Sequence, residues 1–197
     1  MTPEQKLIDL RAYAEQNDVP ILTPEAENVF IAMLKASGAK RILEVGTAIG
    51  YSGTVSLLVT EDSHLFTIEI DEERAEMARK TFADFELTPR VTQFIGDAGD
   101  ILQKLTGEYD FILLDGPKGQ YLNYLPYLIE HLSVGGLLFA DNVSFHGLVS
   151  EEDQGHKNRT LRVNMLGFMQ AIQQDERLIT EILSYGDGIA LCYRKPQ

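Results

Sequence analysis

The chain has 197 residues, a formal net charge of −13 and an apolar fraction of 44%, enough for one domain with its own core. The acidic balance argues against broad nonspecific binding to nucleic acid, which draws on Lys and Arg at phosphates, while leaving room for a local basic patch. No apolar run approaches the roughly 18 residues of a membrane span, the polar start Met1-Thr2-Pro3-Glu4-Gln5 is unlike a signal peptide, and the single cysteine, Cys192, excludes an internal disulfide, so a cytoplasmic location is expected.

Thr2-Pro3-Glu4-Gln5 reads as a helix start, with Thr as N-cap, Pro at the first position and Gln at the capping-box position. Leu7, Leu10 and Ala14 give that helix one apolar stripe, and Asn17-Asp18-Val19-Pro20 breaks it. Thr23-Pro24-Glu25 starts a second helix in the same way; it buries Val29, Phe30, Met33 and Leu34 and ends at Ser37-Gly38-Ala39. Residues 1–38 are therefore expected to cap a single domain that spans 1–197. From residue 41 apolar strands alternate with amphipathic helices. The strands fall at Ile42–Val45, Leu65–Ile70, Val91–Ile95, Tyr109–Asp115 and Leu137–Asp141. The helices fall at Tyr51–Val59, Asp71–Phe85, Asp100–Leu105, Gln120–His131 and Asn158–Asp175. Two last strands, Arg177–Ser184 and Ile189–Arg194, are joined by Tyr185-Gly186-Asp187-Gly188, a hairpin-type turn.

This alternation predicts an α/β fold: a doubly wound, mainly parallel seven-stranded sheet with one antiparallel edge strand. In such sheets ligands bind outside the carboxyl ends of the strands. Glu69, Asp97, Asp115 and Asp141 all fall at or just past those ends.

The run from Arg41 to Gly53 organises the rest. Strand Ile42–Val45 enters a turn with Gly46 and Gly50, which can take conformations closed to other residues and let a ligand come close. The following helix start offers free backbone N–H groups. Glu69, about twenty residues on, sits where an acid would hydrogen-bond a ribose diol. A pyrophosphate needs Gly-x-Gly-x-x-Gly, but Ala48 replaces the middle glycine of that pattern. The spacing Gly46-x-x-x-Gly50-x-x-Gly53 instead fits S-adenosylmethionine, which has a ribose and no phosphate. It weakens a dehydrogenase reading.

Asp115, Asp141 and Asn142 supply three hard oxygen ligands, suited to Mg²⁺, Mn²⁺ or Ca²⁺ rather than zinc. Lys118 lies three residues past Asp115. A nearby cation disfavours its ammonium form, so it can act as a general base; the alternative is a plain electrostatic contact to substrate. Tyr121, one helical turn later, either lines the pocket or faces the core. Asp97 has an N-capping role open to it as well as a ligand role.

The run Glu44-Val45-Gly46-Thr47-Ala48-Ile49-Gly50-Tyr51-Ser52 resembles the first motif of the small class I O-methyltransferases, the group of catechol and caffeoyl-CoA O-methyltransferases. Leu114-Asp115-Gly116-Pro117-Lys118 and Ala140-Asp141-Asn142-Val143 match the same family, and the resemblance covers about residues 20–195. It implies a Rossmann-like methyltransferase fold. It further implies S-adenosylmethionine held by Glu44, Gly46, Thr47, Gly50, Tyr51, Ser52, Glu69, Asp97, Ala98 and Asp115. Mg²⁺ (or Mn²⁺ or Ca²⁺) would sit at Asp115, Asp141 and Asn142, with Lys118 as base, and small members of the family are often homodimers.

Val19-Pro20-Ile21, the Gly-Thr-Ala-Ile-Gly-Tyr-Ser loop and the Asn158-Arg159 to Arg162 region look most like bacterial tRNA 5-hydroxyuridine methyltransferases. O4 and O5 of that base are vicinal oxygens, as in a catechol, so one site chemistry serves tRNA or a catechol-like small molecule. The acidic charge counts against tRNA. The basic run Lys157-Asn158-Arg159-Thr160-Leu161-Arg162 is either a phosphate contact or a solvated helix start, and Phe145-His146 would form a pocket wall. A rival of another class is a non-catalytic nucleotide-binding module, which would have no need of Lys118 and the three oxygen ligands.

Overall fold

Helices α1 (Pro3–Gln16) and α2 (Pro24–Ser37) each begin at a threonine whose hydroxyl accepts a first-turn backbone N–H, Thr2 from Gln5 at 3.3 Å and Thr23 from Ala26 at 3.2 Å. The Gln5 side chain donates forward to Asp9 Oδ1 at 3.1 Å, so the expected capping box is only half formed. α2 stops at Gly38, whose φ of +61° is the left-handed conformation that ends helices. These features are seen in a computed structural model that describes residues 1–143 and 156–196, the side chains of 156–158 excepted. The expectations for Phe145, His146 and the side chains of Lys157 and Asn158 lie outside the described residues.

The sheet comprises β1 (Arg41–Val45), β2 (His64–Glu69), β3 (Val91–Ile95), β4 (Tyr109–Leu114), β5 (Leu132–Asp141), β6 (Leu178–Leu183) and β7 (Ile189–Arg194). Between them run α3 (Tyr51–Val59), α4 (Glu72–Asp84), α5 (Ala98–Leu102), α6 (Tyr121–His131) and α7 (His156–Gln174). The strand order is β3-β2-β1-β4-β5-β7-β6, with β1 to β5 parallel and β7 antiparallel to both neighbours. The reversed strand is thus β7, inserted one place in from the edge, and β6 is the edge itself. A five-residue connection cannot carry a parallel crossover, so β6 and β7 must oppose.

Most boundaries differ from the sequence reading by one to three residues, and two of the differences have a plain local cause. β5 starts at Leu132 instead of Leu137, because the pairing with β4 jumps from Tyr109↔Leu132 to Phe111↔Leu137 and residues 133–136 bulge out, with Gly135 at φ +82°. α5 starts two residues early, at Ala98, because Asp97 caps it.

The core lies on both faces of the sheet, and strand alternation divides it. Ile42, Phe111, Leu113 and Phe139 face α1 to α4, where Phe30 and Phe82 pack with them. Leu43, Ile112, Leu114 and Leu138 face α5 to α7, where Tyr121, Leu128 and Phe168 do. The order doubles back at β1 and β4, so the crevice beyond their carboxyl ends is where such a sheet binds ligands. No helix among the described residues is long and apolar enough to cross a membrane.

Candidate active site

Gly46 follows β1 at φ +102°, and a Cβ there would lie 2.2 Å from the Asp115 carbonyl oxygen. The Asp115 N–H donates to Val45 O at 3.0 Å, so the ends of β1 and β4 press together and only glycine fits between them. Ala48 takes a left-handed φ of +46°, and its N–H donates to Glu69 Oε2 at 2.8 Å. Gly50, at φ +83°, precedes α3 with no side-chain cap, leaving the helix start with backbone donors and the positive end of its dipole.

Beneath the loop lies Glu44, 1% exposed. Its carboxyl accepts from Ser52 Oγ and Thr67 Oγ1, each at 2.5 Å, and Thr47 Oγ1 is 2.5 Å from Thr67 Oγ1. Burial pushes the Glu44 pKa up to about 7; the two hydroxyl donors oppose the rise, and the charges of Asp115 and Glu69 add to it. Glu44, Thr47, Ser52 and Thr67 therefore spend their side chains in one buried network centred on Glu44, fixing the loop from below.

Tyr51 turns toward the N-terminal helices. Its hydroxyl accepts from Arg11 Nε at 3.2 Å, the Arg11 guanidinium lies 4.8 Å from its ring centroid, and Arg11 also pairs with Glu27. Burial and the neighbouring Glu27 raise the phenol pKa to about 12. This cluster ties α1 and α2 to the first residue of α3.

Glu69, at the end of β2, accepts N–H groups of Ile70 and Asp71 at 3.0 Å on its second oxygen. It opens onto a cleft of about 260 Å³ lined by Val45, Gly46, Ile70, Asp97, Gln120 and Tyr124 among others. Asp97 serves as the α5 cap, accepting from Gly99 N at 2.8 Å and Asp100 N at 3.3 Å through one oxygen, and still faces the cleft with Ala98. Gln120 and Tyr124 were not picked out from the sequence. Their i, i+4 spacing just past Lys118 places both on the cleft side and is the signal that was available. Burial and the Asp97 charge raise the Tyr124 pKa.

Asp115 follows β4, and Asp141 ends β5. The parallel register Leu114↔Ala140 sets the two side by side. Asp141 is 3% exposed; burial and the Asp115 charge push its pKa up to about 7, against the Asn142 backbone N–H and the Lys118 charge. Burial likewise raises Asp115, and Lys118 opposes it. Asn142 follows at φ +55°, its Nδ2 donating to Asp187 Oδ2 at 3.2 Å. Lys118 opens the short turn Lys118–Gln120, whose Gly119 carbonyl accepts from Asn164 Nδ2 of α7 at 3.0 Å. Tyr121 is fully buried, its hydroxyl on the carbonyls of Leu114 and Asp141, so it braces the site from the core. Among the described residues no three His, Cys, Asp or Glu side chains gather as a metal site; the set here is two carboxyl groups and one amide.

Comparison with known proteins accords with this geometry. The O-methyltransferase family matches residues 3–195. Caffeoyl-CoA O-methyltransferase 2 of Populus trichocarpa is 32% identical over 198 residues, covering 94% of this chain and 80% of its own. A Staphylococcus aureus protein assigned as a caffeoyl-CoA O-methyltransferase superposes with a TM-score of 0.88 at 27% identity, covering 95% of this chain and 91% of that one. The O-methyltransferase TomG of Streptomyces achromogenes, solved in complex with S-adenosylmethionine, shares the fold at 24% identity and a TM-score of 0.80, covering 96% of this chain and 89% of its own. The chain belongs to the O-methyltransferase family.

Proposed function

We propose that this chain transfers a methyl group from S-adenosylmethionine to a hydroxyl with a second oxygen beside it, at a site that also takes a divalent cation. The observation that carries the reading is the pairing of Asp115 with Asp141 at neighbouring strand ends, one wall away from a cleft that holds Glu69 and Asp97.

The donor set fits a cation. Burial raises the pKa of both carboxyl groups, the Asp115 charge raises that of Asp141 further, and Lys118 opposes both, so a divalent ion would supply the missing positive charge. All the donors are hard oxygens, as Mg²⁺, Mn²⁺ and Ca²⁺ prefer. When bound, the ion would draw the two neighbouring substrate oxygens to the site and acidify the reacting hydroxyl. The cleft fits the methyl donor, whose sulfonium methyl is the group transferred. Glu69 would take the ribose diol, and Asp97 and Ala98 the adenine edge. Gly46 lets the ligand approach the backbone. Glu44, Thr47 and Ser52 hold the loop in shape, and Gln120 and Tyr124 close the cleft wall. Lys118 takes the proton from the reacting hydroxyl, and the pre-set geometry supplies proximity.

A catechol-like acceptor is favoured by the named relatives. The Gly-Thr-Ala-Ile-Gly-Tyr-Ser loop and the Arg159 to Arg162 region favour a second acceptor, 5-hydroxyuridine in tRNA. Transfer of labelled methyl with Mg²⁺ to a catechol panel and to tRNA bearing 5-hydroxyuridine separates them. Label in catechols alone assigns the small-molecule reaction, label in tRNA assigns the RNA reaction, and label in neither rejects both acceptors.

A further inference from the structure

We infer that Asp187 is a positioning residue: its carboxylate fixes the side-chain amide of Asn142 so that the amide keeps its oxygen, and not its NH₂, as the free end beside Asp115 and Asp141. The inference deepens the cation-site reading above and rests on it.

A primary amide carries an acceptor and a donor end of nearly equal size, so shape alone does not choose between its two flips. A cation takes only the oxygen. Something must therefore accept from the NH₂, and residues that orient ligands in this way matter to metal affinity. Asn142 Nδ2 donates to Asp187 Oδ2 at 3.2 Å. A carboxylate accepts and never donates when ionised, so it holds the nitrogen and rejects the flipped amide.

Asp187 is itself held in place. It sits in the turn between β6 and β7, closed by Gly188 N–H to Tyr185 O at 2.8 Å. Val143 N–H donates to Gly188 O at 3.0 Å, which ties the turn to the residue after Asn142. The register Asp141↔Ile189 brings β7 alongside the end of β5. On the other side Gly186, at φ +53°, lies so close to the cap of α2 that an added Cβ would fall 2.8 Å from Thr23 Oγ1. A hairpin turn that reads in the sequence as a plain reversal is thus seated between α2 and the site, with one carboxylate on Asn142.

The test is Mn²⁺ binding to the purified full chain, followed by the resonance of free Mn²⁺, with thermal unfolding of each variant alongside. Asp187→Ala is expected to weaken Mn²⁺ by about 10-fold, the scale of lost ligand-orienting contacts. Asp187→Asn keeps an oxygen that accepts the same hydrogen bond and is expected to stay within about 3-fold of wild type. In an Asn142→Ala background, removing the Asp187 carboxylate should change affinity by less than about 2-fold, because the partner it orients is gone. Wild-type affinity in Asp187→Ala overturns the inference, whether or not the unfolding midpoint drops. So does an Asp187→Asn loss equal to that of Asp187→Ala, which would assign the effect to charge. A wild-type chain that binds no Mn²⁺ overturns the cation site itself, and the inference with it.

Discussion

The Tyr121 hydroxyl donates to the Asp141 carbonyl oxygen at 3.2 Å, and the same hydroxyl lies 3.1 Å from the carbonyl oxygen of Leu114. One buried phenol thus joins the last residues of β4 and β5, and with them the backbones that carry Asp115 and Asp141. Tyr121→Phe leaves the ring packed against Phe168, 5.4 Å away between centroids, and removes only the hydroxyl. Thermal or urea unfolding should show a loss of about 1 kcal/mol, the usual net value of such a hydrogen bond, with methyl transfer reduced more than cofactor binding.

Gly46→Ala should fail more severely. The new methyl would meet the Asp115 carbonyl oxygen, in a backbone conformation that disfavours any side chain. Strain of this kind costs about 1–3 kcal/mol before the clash is counted. The unfolding midpoint and S-adenosylmethionine affinity should fall together, and a variant with wild-type values of both would show that the β1–β4 contact is looser than described.

Glu69→Gln tests the ribose end of the cleft. The carboxylate already accepts from Ala48, Ile70 and Asp71, so the variant loses charge-assisted bonds both to the loop and to the proposed diol. At about 1.5–3 kcal/mol for a hydrogen bond to a charged group, calorimetric titration should show S-adenosylmethionine bound roughly 10- to 100-fold more weakly. Unchanged affinity would remove Glu69 from the cofactor site.

The buried Glu44 predicts a pH dependence. Burial raises its folded-state pKa to about 7 from the ordinary value of 4.5. The folded chain therefore holds that proton more tightly than the unfolded chain. This contribution is full below the unfolded value and is lost as pH rises through about 7. Glu44→Gln removes the titrating group while keeping an oxygen for Ser52 or Thr67. The unfolding midpoint of the variant should vary less than that of wild type between pH 5 and pH 7. Parallel curves would place the titration elsewhere.

Much of this architecture was legible because local signals agreed. The Thr-Pro helix starts, the apolar strands and the four acids at their ends all point to the same sheet edge, and the two caps and the parallel register are as those signals require. The half-made capping box at Gln5 and the early start of β5 were not legible, since the first turns on a competing bond to Asp9 one helical turn on and the second on a register jump. The motif around Glu44 marks the turn between β1 and α3 but not the division of labour within it. Ser52 and Thr67 bond to Glu44 under the loop, Thr47 bonds to Thr67, Tyr51 bonds to Arg11, and only the folded chain brings those partners together. Asp187 was hidden for the same reason, 45 residues from Asn142 in sequence.

The most direct test of the account is Asp141→Ala, assayed for labelled methyl transfer to the preferred vicinal-oxygen acceptor and, in parallel, for S-adenosylmethionine binding. The account predicts transfer reduced by at least about 100-fold, no further loss on adding chelator, and cofactor affinity within about 3-fold of wild type. Transfer at the wild-type rate in that variant with chelator present would contradict it.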